Sequence, residues 1–333
     1  MVIKPKLTKK ILICGLGSIG KRHLKIIKDN WPNIKVACLR NKNPDYYPSS
    51  INDFLIEEFF YNINEAKEWN PDAVIISNPA KYHLKYALFF AELSKPLFIE
   101  KPIGIGNESN KYREKLSEYS KKSLILCGYV FRFDEGINLL KEKAQKIGKL
   151  VTAEFYCGSW LPNWRDGIDY RKSVSASKDL GGGVLLELSH ELDLANWLIG
   201  PYEINYSYLK NTGLLDLDVE DCAMINAVSV TGCAININLN FCTKTEKRTI
   251  KIIGSEGNLE YDLIKNQLLI CISNKEESYQ LNQNKNQKYI NQMEHFLECI
   301  ENSEDPTCTV KDGFQVLNHV SKAKSFDNIK ENL

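Results

Sequence analysis

The chain has 333 residues, 43 Lys and Arg against 42 Asp and Glu, a formal net charge of +1 and 43% apolar residues. That is enough chain for two cored domains of ordinary soluble composition. The balanced charge excludes an electrostatic case for nucleic acid or a membrane surface as partner. Ten cysteines lie scattered, mostly in apolar stretches, with no C-x-x-C pair. They predict small core residues in a reducing cytoplasm, with no disulfide framework and no metal site. No apolar segment with a cleavage site follows the N-terminal lysines and none reaches membrane-spanning length, so a cytoplasmic protein is expected.

From Lys10 to about Leu126 short apolar runs at 11–14, 34–39, 59–61, 73–77, 97–99 and 124–127 alternate with helical patterns. Such alternation predicts an α/β domain over 1–126, a parallel sheet with helices on both faces. The first run flows into Gly15, Gly17, Ser18, Ile19 and Gly20, a G-x-G-x-x-G turn that opens a helical pattern. Glycines so placed suit a Rossmann dinucleotide site, with the pyrophosphate on the helix N-terminus. The second run ends Leu39-Arg40-Asn41-Lys42 without a carboxylate, which tilts the expected cofactor from NAD toward NADP. Asn78-Pro79 breaks the chain after the fourth run, where a cofactor loop belongs, and His83 near the next helix start is either a cofactor contact or a helix-surface residue. The fifth run ends Glu100-Lys101-Pro102, so a lysine is held at the strand end where open α/β sheets bind ligands.

Beyond this, residues 127–333 read as a second, α+β domain joined by one hinge near Leu126. Residues 233–241 alternate strictly, with Ile235, Ile237, Leu239 and Phe241 on one face and three asparagines on the other. That is the pattern of a half-buried antiparallel strand. Similar runs at 151–156, 204–209, 223–230, 249–253 and 267–272 predict a large, mostly antiparallel open sheet with helices on one face. Helical patterns close the chain, from Tyr289 to Ile300 and from about Val310 to Phe326.

Between Gly158 and Gly183 lies a loop in which Trp164, Arg165, Tyr170, Arg171 and Lys172 combine aromatic rings with cations. Rings suit the C–H faces of a sugar, and arginine suits a carboxylate or phosphate. A triple glycine at 181–183 then leads into a helical pattern with Glu187, His190 and Asp193 spaced three apart, on neighbouring turns of one face. A histidine between carboxylates can be oriented as a proton carrier.

Taken together, these features resemble the Gfo/Idh/MocA oxidoreductases, which include glucose-fructose oxidoreductase and inositol dehydrogenase. The likeness spans the N-terminal glycines, 77–80 with His83, 100–102, 128–133 including Arg132, 181–193 and 254–259. It implies NAD(P)-dependent hydride transfer to or from a hydroxyl-bearing carbon of a sugar, nucleotide sugar, sugar acid or cyclitol, without a metal. Lys101 matches the family lysine that binds the substrate hydroxyl and nicotinamide, and His190 the family histidine that acts as acid or base. Glu187 stands for the acidic residue before that histidine, but lies three residues ahead of it where the family commonly has Asp four ahead. The resemblance further implies cofactor contacts from Gly15, Gly17, Ser18, Ile19, Gly20, Arg40, Asn78, Pro79, His83, Glu100 and Lys101. Substrate contacts are implied from Lys101, Arg132, Trp164, Arg165, Tyr170, Arg171 and His190. It also implies a homodimer or homotetramer through the open sheet face. The wording of the 158–183 loop is similar to members linked to bacterial surface-sugar biosynthesis. Two alternatives stay open within the family: a glycosidase using bound NAD, and a non-catalytic regulator that senses a dinucleotide.

Overall fold

The computed structural model describes residues 8–41, 55–106, 110–165, 167 and 169–330. Two compact units emerge: residues up to Gly128 together with Tyr289–Phe314, and Tyr129–Lys288 together with Gln315 onward.

In the first unit the chain runs β1 (Lys10–Cys14), α1 (Ser18–Asn30), β2 (Lys35–Leu39), β3 (Glu58–Phe60), α2 (Ile63–Glu68) and β4 (Ala73–Ile76). It continues through α3 (His83–Glu92), β5 (Leu97–Glu100), α4 (Asn110–Tyr119) and β6 (Ile125–Gly128). The six strands form an all-parallel sheet in the order 3-2-1-4-5-6, so the strand order reverses between β1 and β4. This is the Rossmann arrangement, in which ligands bind beyond the carboxyl ends of the strands at the reversal. Strand residues 11–14, 73–76 and 97–99 are fully buried, as expected of a parallel sheet covered on both faces.

The second unit carries α5 (Glu135–Ala144), β7 (Leu150–Gly158), α6 (Val184–Glu187), α7 (His190–Ile199), β8 (Tyr202–Lys210), β9 (Cys222–Ser229) and β10 (Ala234–Asn240). Then come β11 (Lys247–Gly254), β12 (Gly257–Asp262), β13 (Gln267–Ile272) and β14 (Lys275–Gln280). Its eight-stranded sheet has the order 14-13-12-11-7-10-9-8. Every pair is antiparallel except β7 with β10, so the 233–241 run is antiparallel to β9 on one side and parallel to β7 on the other. Ile235, Ile237 and Leu239 face the core, while Asn226, Asn236 and Asn238 hydrogen-bond to one another on the opposite face.

Two helices follow, α8 (Gln287–Asn302) and α9 (Val310–Lys330). The division differs from a single break at residue 126, because Tyr289–Phe314 belongs with the first unit. The apolar stripe of α8 explains this: Met293, Phe296 and Leu297 join the core formed by Ile11, Ile13, Leu24, Phe98 and Leu126. Phe296 meets Phe98 edge-on at 5.6 Å. A periodic pattern tells that a helix has a buried face, not which sheet receives it.

Phe296 is fully buried. Phe296→Ala is expected to lower the unfolding free energy by about 3–5 kcal/mol through lost burial and an unfilled cavity; urea titration checks this, and a loss below ~1 kcal/mol would refute the packing. In the second unit His319 of α9 stacks on Tyr202 at 4.0 Å, and burial pushes its pKa from 6.5 down to about 4. The unfolded chain therefore binds the extra proton first, so this contribution is intact above pH 6.5 and lost as pH falls toward 4. The full loss is roughly 3 kcal/mol. Urea titrations at neutral and acid pH should show His319→Phe with a shallower decline than the parent.

Candidate active site

In the first unit, β1 runs into Gly15, which takes φ +97, a conformation that L side chains rarely adopt. A Cβ there would also lie 2.8 Å from the backbone of Asn78, so glycine lets the loops after β1 and β4 touch at the strand-order reversal. A Cβ on Gly20 would lie 2.1 Å from the Gly15 carbonyl, which requires bare backbone where α1 crosses the turn. Gly17 is the N-cap of α1, makes no side-chain cap, and faces open space. The first N–H groups of α1, Ser18 and Ile19 included, are thus left to an anion. Ser77 braces the turn by donating its hydroxyl to the Gly15 carbonyl at 2.9 Å.

Arg40 directly follows Leu39, whose carbonyl accepts the Gly15 N–H at 2.9 Å, so it stands beside the glycine turn. Lys42 lies outside the described residues. His83 is buried, with Nδ1 2.8 Å from the Pro102 carbonyl and Nε2 2.6 Å from that of Asn78. It is neither a helix-surface residue nor open to a ligand: it ties the loop after β4 to the loop after β5. Burial lowers its pKa, against the two carbonyl contacts that raise it. The side-chain oxygen of Asn78 is buried with no hydrogen-bond partner in the structure, an acceptor at the reversal point left for a ligand.

Glu100, at the buried end of β5, uses both oxygens internally. Nε2 of the fully buried His23 donates to Oε1 at 2.6 Å, and the Lys101 backbone N–H donates to Oε2 at 3.1 Å. A Cβ on Gly128 would sit 2.9 Å from Oε2, so the glycine ending β6 leaves room for this carboxylate. Glu100 thus holds the Lys101 backbone at the strand end while its other oxygen is held by His23. The Lys101–Pro102 peptide is cis.

In the second unit the helical stretch after the triple glycine is interrupted. Gly183, at φ +100, opens α6, which ends at Glu187; Leu188 and Ser189 break the run, and His190 begins α7. Glu187 and His190 therefore end and begin separate helices instead of sharing one continuous face. The His190 ring is met edge-on by Tyr129 at 5.7 Å and Phe131 at 4.9 Å. Its neighbours on α7 are anchored by ion pairs: Glu191 accepts from Arg248 of β11 at 2.6 and 3.0 Å, and Asp193 from Arg132 at 3.0 and 2.5 Å.

Residues 9–126 match the family model described as "Oxidoreductase family, NAD-binding Rossmann fold", and residues 143–325 match "Oxidoreductase family, C-terminal alpha/beta domain". The chain belongs to the Gfo/Idh/MocA oxidoreductases. Its relatives in this family include scyllo-inositol 2-dehydrogenase (NAD(+)) of Bacillus subtilis (strain 168), 25% identical over 314 residues that span 89% of this chain and 87% of that protein. The fold is similar to levoglucosan dehydrogenase in complex with NADH and levoglucosan, with TM-score 0.81, 17% identity and coverage of 96% of this chain and 97% of that one. It is also similar to the WlbA dehydrogenase from Bordetella pertussis in complex with NADH and UDP-GlcNAcA, with TM-score 0.77, 17% identity and 96% of each chain covered.

Within this Gfo/Idh/MocA chain, two cations expected at the substrate are otherwise engaged. Arg132 is buried, forked onto Asp193 and laid over Trp197 at 4.6 Å, so it fixes α7 and does not present a free guanidinium. Arg171 is exposed and forked onto Asp169 at 2.9 and 3.0 Å. Trp164, Arg165 and Tyr170 stand together as walls of one cleft. Sequence reading assigned no role to His23 or the Glu191–Arg248 pair, and took Phe131 only as part of the 128–133 stretch. The spacing of His23, three residues past the last glycine and beside Leu24 on the buried side of α1, is the one signal that offered itself.

Because His23 and Glu100 are buried against each other, they are expected to couple by about 1–3 kcal/mol. A double-mutant cycle of His23→Ala and Glu100→Gln, read by urea titration, measures this; additivity within ~0.3 kcal/mol would reject the coupling.

Proposed function

We propose that this oxidoreductase transfers a hydride between a nicotinamide dinucleotide and a hydroxyl-bearing carbon of a sugar or cyclitol. The observation that carries the reading is the Glu100–Lys101 corner. A lysine is fixed by its own backbone at the carboxyl edge of a 3-2-1-4-5-6 sheet whose glycine turn leaves helix N–H groups uncapped. The names of its relatives and neighbours, which act on cyclitols and bind sugars with NADH, support the same class.

The uncapped α1 turn and the unpartnered Asn78 oxygen suit a dinucleotide, which when bound supplies the hydride chemistry. The protein must orient the reacting carbon and handle one proton. Lys101 is assigned a donor role toward the reacting oxygen, stabilising charge that develops there. His190 is assigned the proton, its ring held by Tyr129 and Phe131 against rotation. Glu187 is assigned to orient His190 across the break between α6 and α7. Arg40 at the end of β2 supports acceptance of a 2′-phosphate, hence a tilt to NADP over NAD. Free cysteines throughout support a reducing, cytoplasmic setting. The asparagine-lined outer face of the second sheet, with exposed Tyr206 and Met224, supports a homo-oligomer contact.

Lys101→Ala and His190→Ala are each expected to cut kcat by at least ~100-fold while NADH and NADPH affinity stays within a few fold. Absorbance of released NAD(P)H over a panel of sugars and cyclitols reads the first, and nicotinamide fluorescence the second. Near-normal turnover in either variant would remove that residue from the mechanism. Failure of all four nicotinamide dinucleotides to bind would remove the function.

A further inference from the structure

His83 poses a question of proton count. Its two ring nitrogens face two backbone carbonyls, Nδ1 that of Pro102 at 2.8 Å and Nε2 that of Asn78 at 2.6 Å. A carbonyl oxygen only accepts, and a neutral imidazole carries one N–H and one lone pair. With the ring neutral, a lone pair would be pressed against one of these oxygens. Both contacts are hydrogen bonds only when both nitrogens carry a proton, so the arrangement is that of the imidazolium.

Burial opposes that charged form. His83 is 2% exposed, and desolvation pushes its pKa below the ordinary 6.5. The two carbonyls pull the other way, as does the carboxylate of Glu100 on β5, while Lys101 repels a second positive charge. Glu100 is itself shared between His23 and the Lys101 amide. In the empty protein at neutral pH the ring therefore keeps one proton and one carbonyl, and the loop that carries the other carbonyl is let go.

The loops that own the two carbonyls give this proton a use. Asn78 follows β4, its backbone lies where a Cβ on Gly15 would collide with it, and its buried side-chain oxygen has no hydrogen-bond partner in the structure. Pro102 directly follows Lys101 at the end of β5. One charged ring thus fixes both loops on which dinucleotide binding and the placing of Lys101 depend. An anion bound at the uncapped start of α1, beyond the same glycine turn, adds negative charge that favours the imidazolium. Protonation and binding then favour one closed arrangement, and each must strengthen the other to the same extent.

We propose that His83 is a proton-operated clasp: binding of the dinucleotide draws one proton from solvent onto this ring and so locks together the loops after β4 and β5. This rests on the dinucleotide-dependent reading above and adds its regulation, since acidification tightens the hold on the cofactor and on the Lys101 corner.

Calorimetric titration of the full chain with NADH at neutral pH, repeated in buffers of different ionisation enthalpy, counts the protons taken up. An uptake approaching one proton is expected, with NADH affinity falling as pH rises by up to about tenfold per unit. His83→Gln, which does not titrate, should remove both the uptake and the slope; the proton count on the parent protein needs no variant. Nitrogen NMR of histidine-labelled protein supplies a second readout, because the chain has five histidines and His83 is the one missing from the variant. On saturation with NADH its ring should pass from one protonated nitrogen to two. Binding without proton uptake, uptake that survives His83→Gln, or a ring that keeps one bare nitrogen in the complex overturns the inference and leaves the dehydrogenase reading intact. Failure of both NADH and NADPH to bind overturns that reading and the inference with it.

Discussion

A carboxylate almost cut off from water must be met by donors, and Glu100 is met by two that matter. His23 comes from the helix that the glycine turn opens, and the second donor is the amide of Lys101. One side chain thus locks the helix that the glycine turn opens to the corner that bears Lys101. Breaking a buried pair by removing one partner is far more damaging than its net worth suggests, because a charge is stranded. The remaining features of the first unit follow from this lock. Gly128 has to be bare where the carboxylate sits, and His83 fastens Asn78 and Pro102 on the other side of the lysine.

The second unit reaches a comparable result with different parts. Its His190 opens a helix whose next and third-next residues are carboxylates turned inward onto arginines from β11 and from the turn after Tyr129. Such pairs add little net stability relative to apolar packing, but each fork has only one good geometry. Their use here is to fix the rotation of α7, with Phe131 serving twice, edge-on to His190 and face-on to Arg248 at 3.9 Å.

How much of this could be read in advance depended on the range of the interaction. The parallel sheet, the glycine turn and Lys101 were legible because burial of consecutive residues and glycine spacing are local signals. The alternation in 233–241 identified a half-buried strand, while the parallel pairing with β7 depended on a partner some 80 residues away and left no local mark. The short β12 and the exposed β14 escaped notice for a related reason, since β14 has no buried residue to set a period. Charge alone could not distinguish Arg132, Arg165 and Arg171. The fates of Arg132 and Arg171 were decided by Asp193 and Asp169, one distant and one two residues away. The break at Leu188–Ser189 likewise lies in residues with ordinary helical preferences, overridden by tertiary context.

The return of Tyr289–Phe314 to the first unit has a consequence for how the protein is made. Its sheet leaves the ribosome long before the helix that covers Phe98 and Leu126 exists. At about 5–20 residues per second, the intervening chain takes on the order of 10–30 s to synthesise. For that interval a nascent dinucleotide fold presents an uncovered apolar face to the cell, and a holdase that shields it is most useful then.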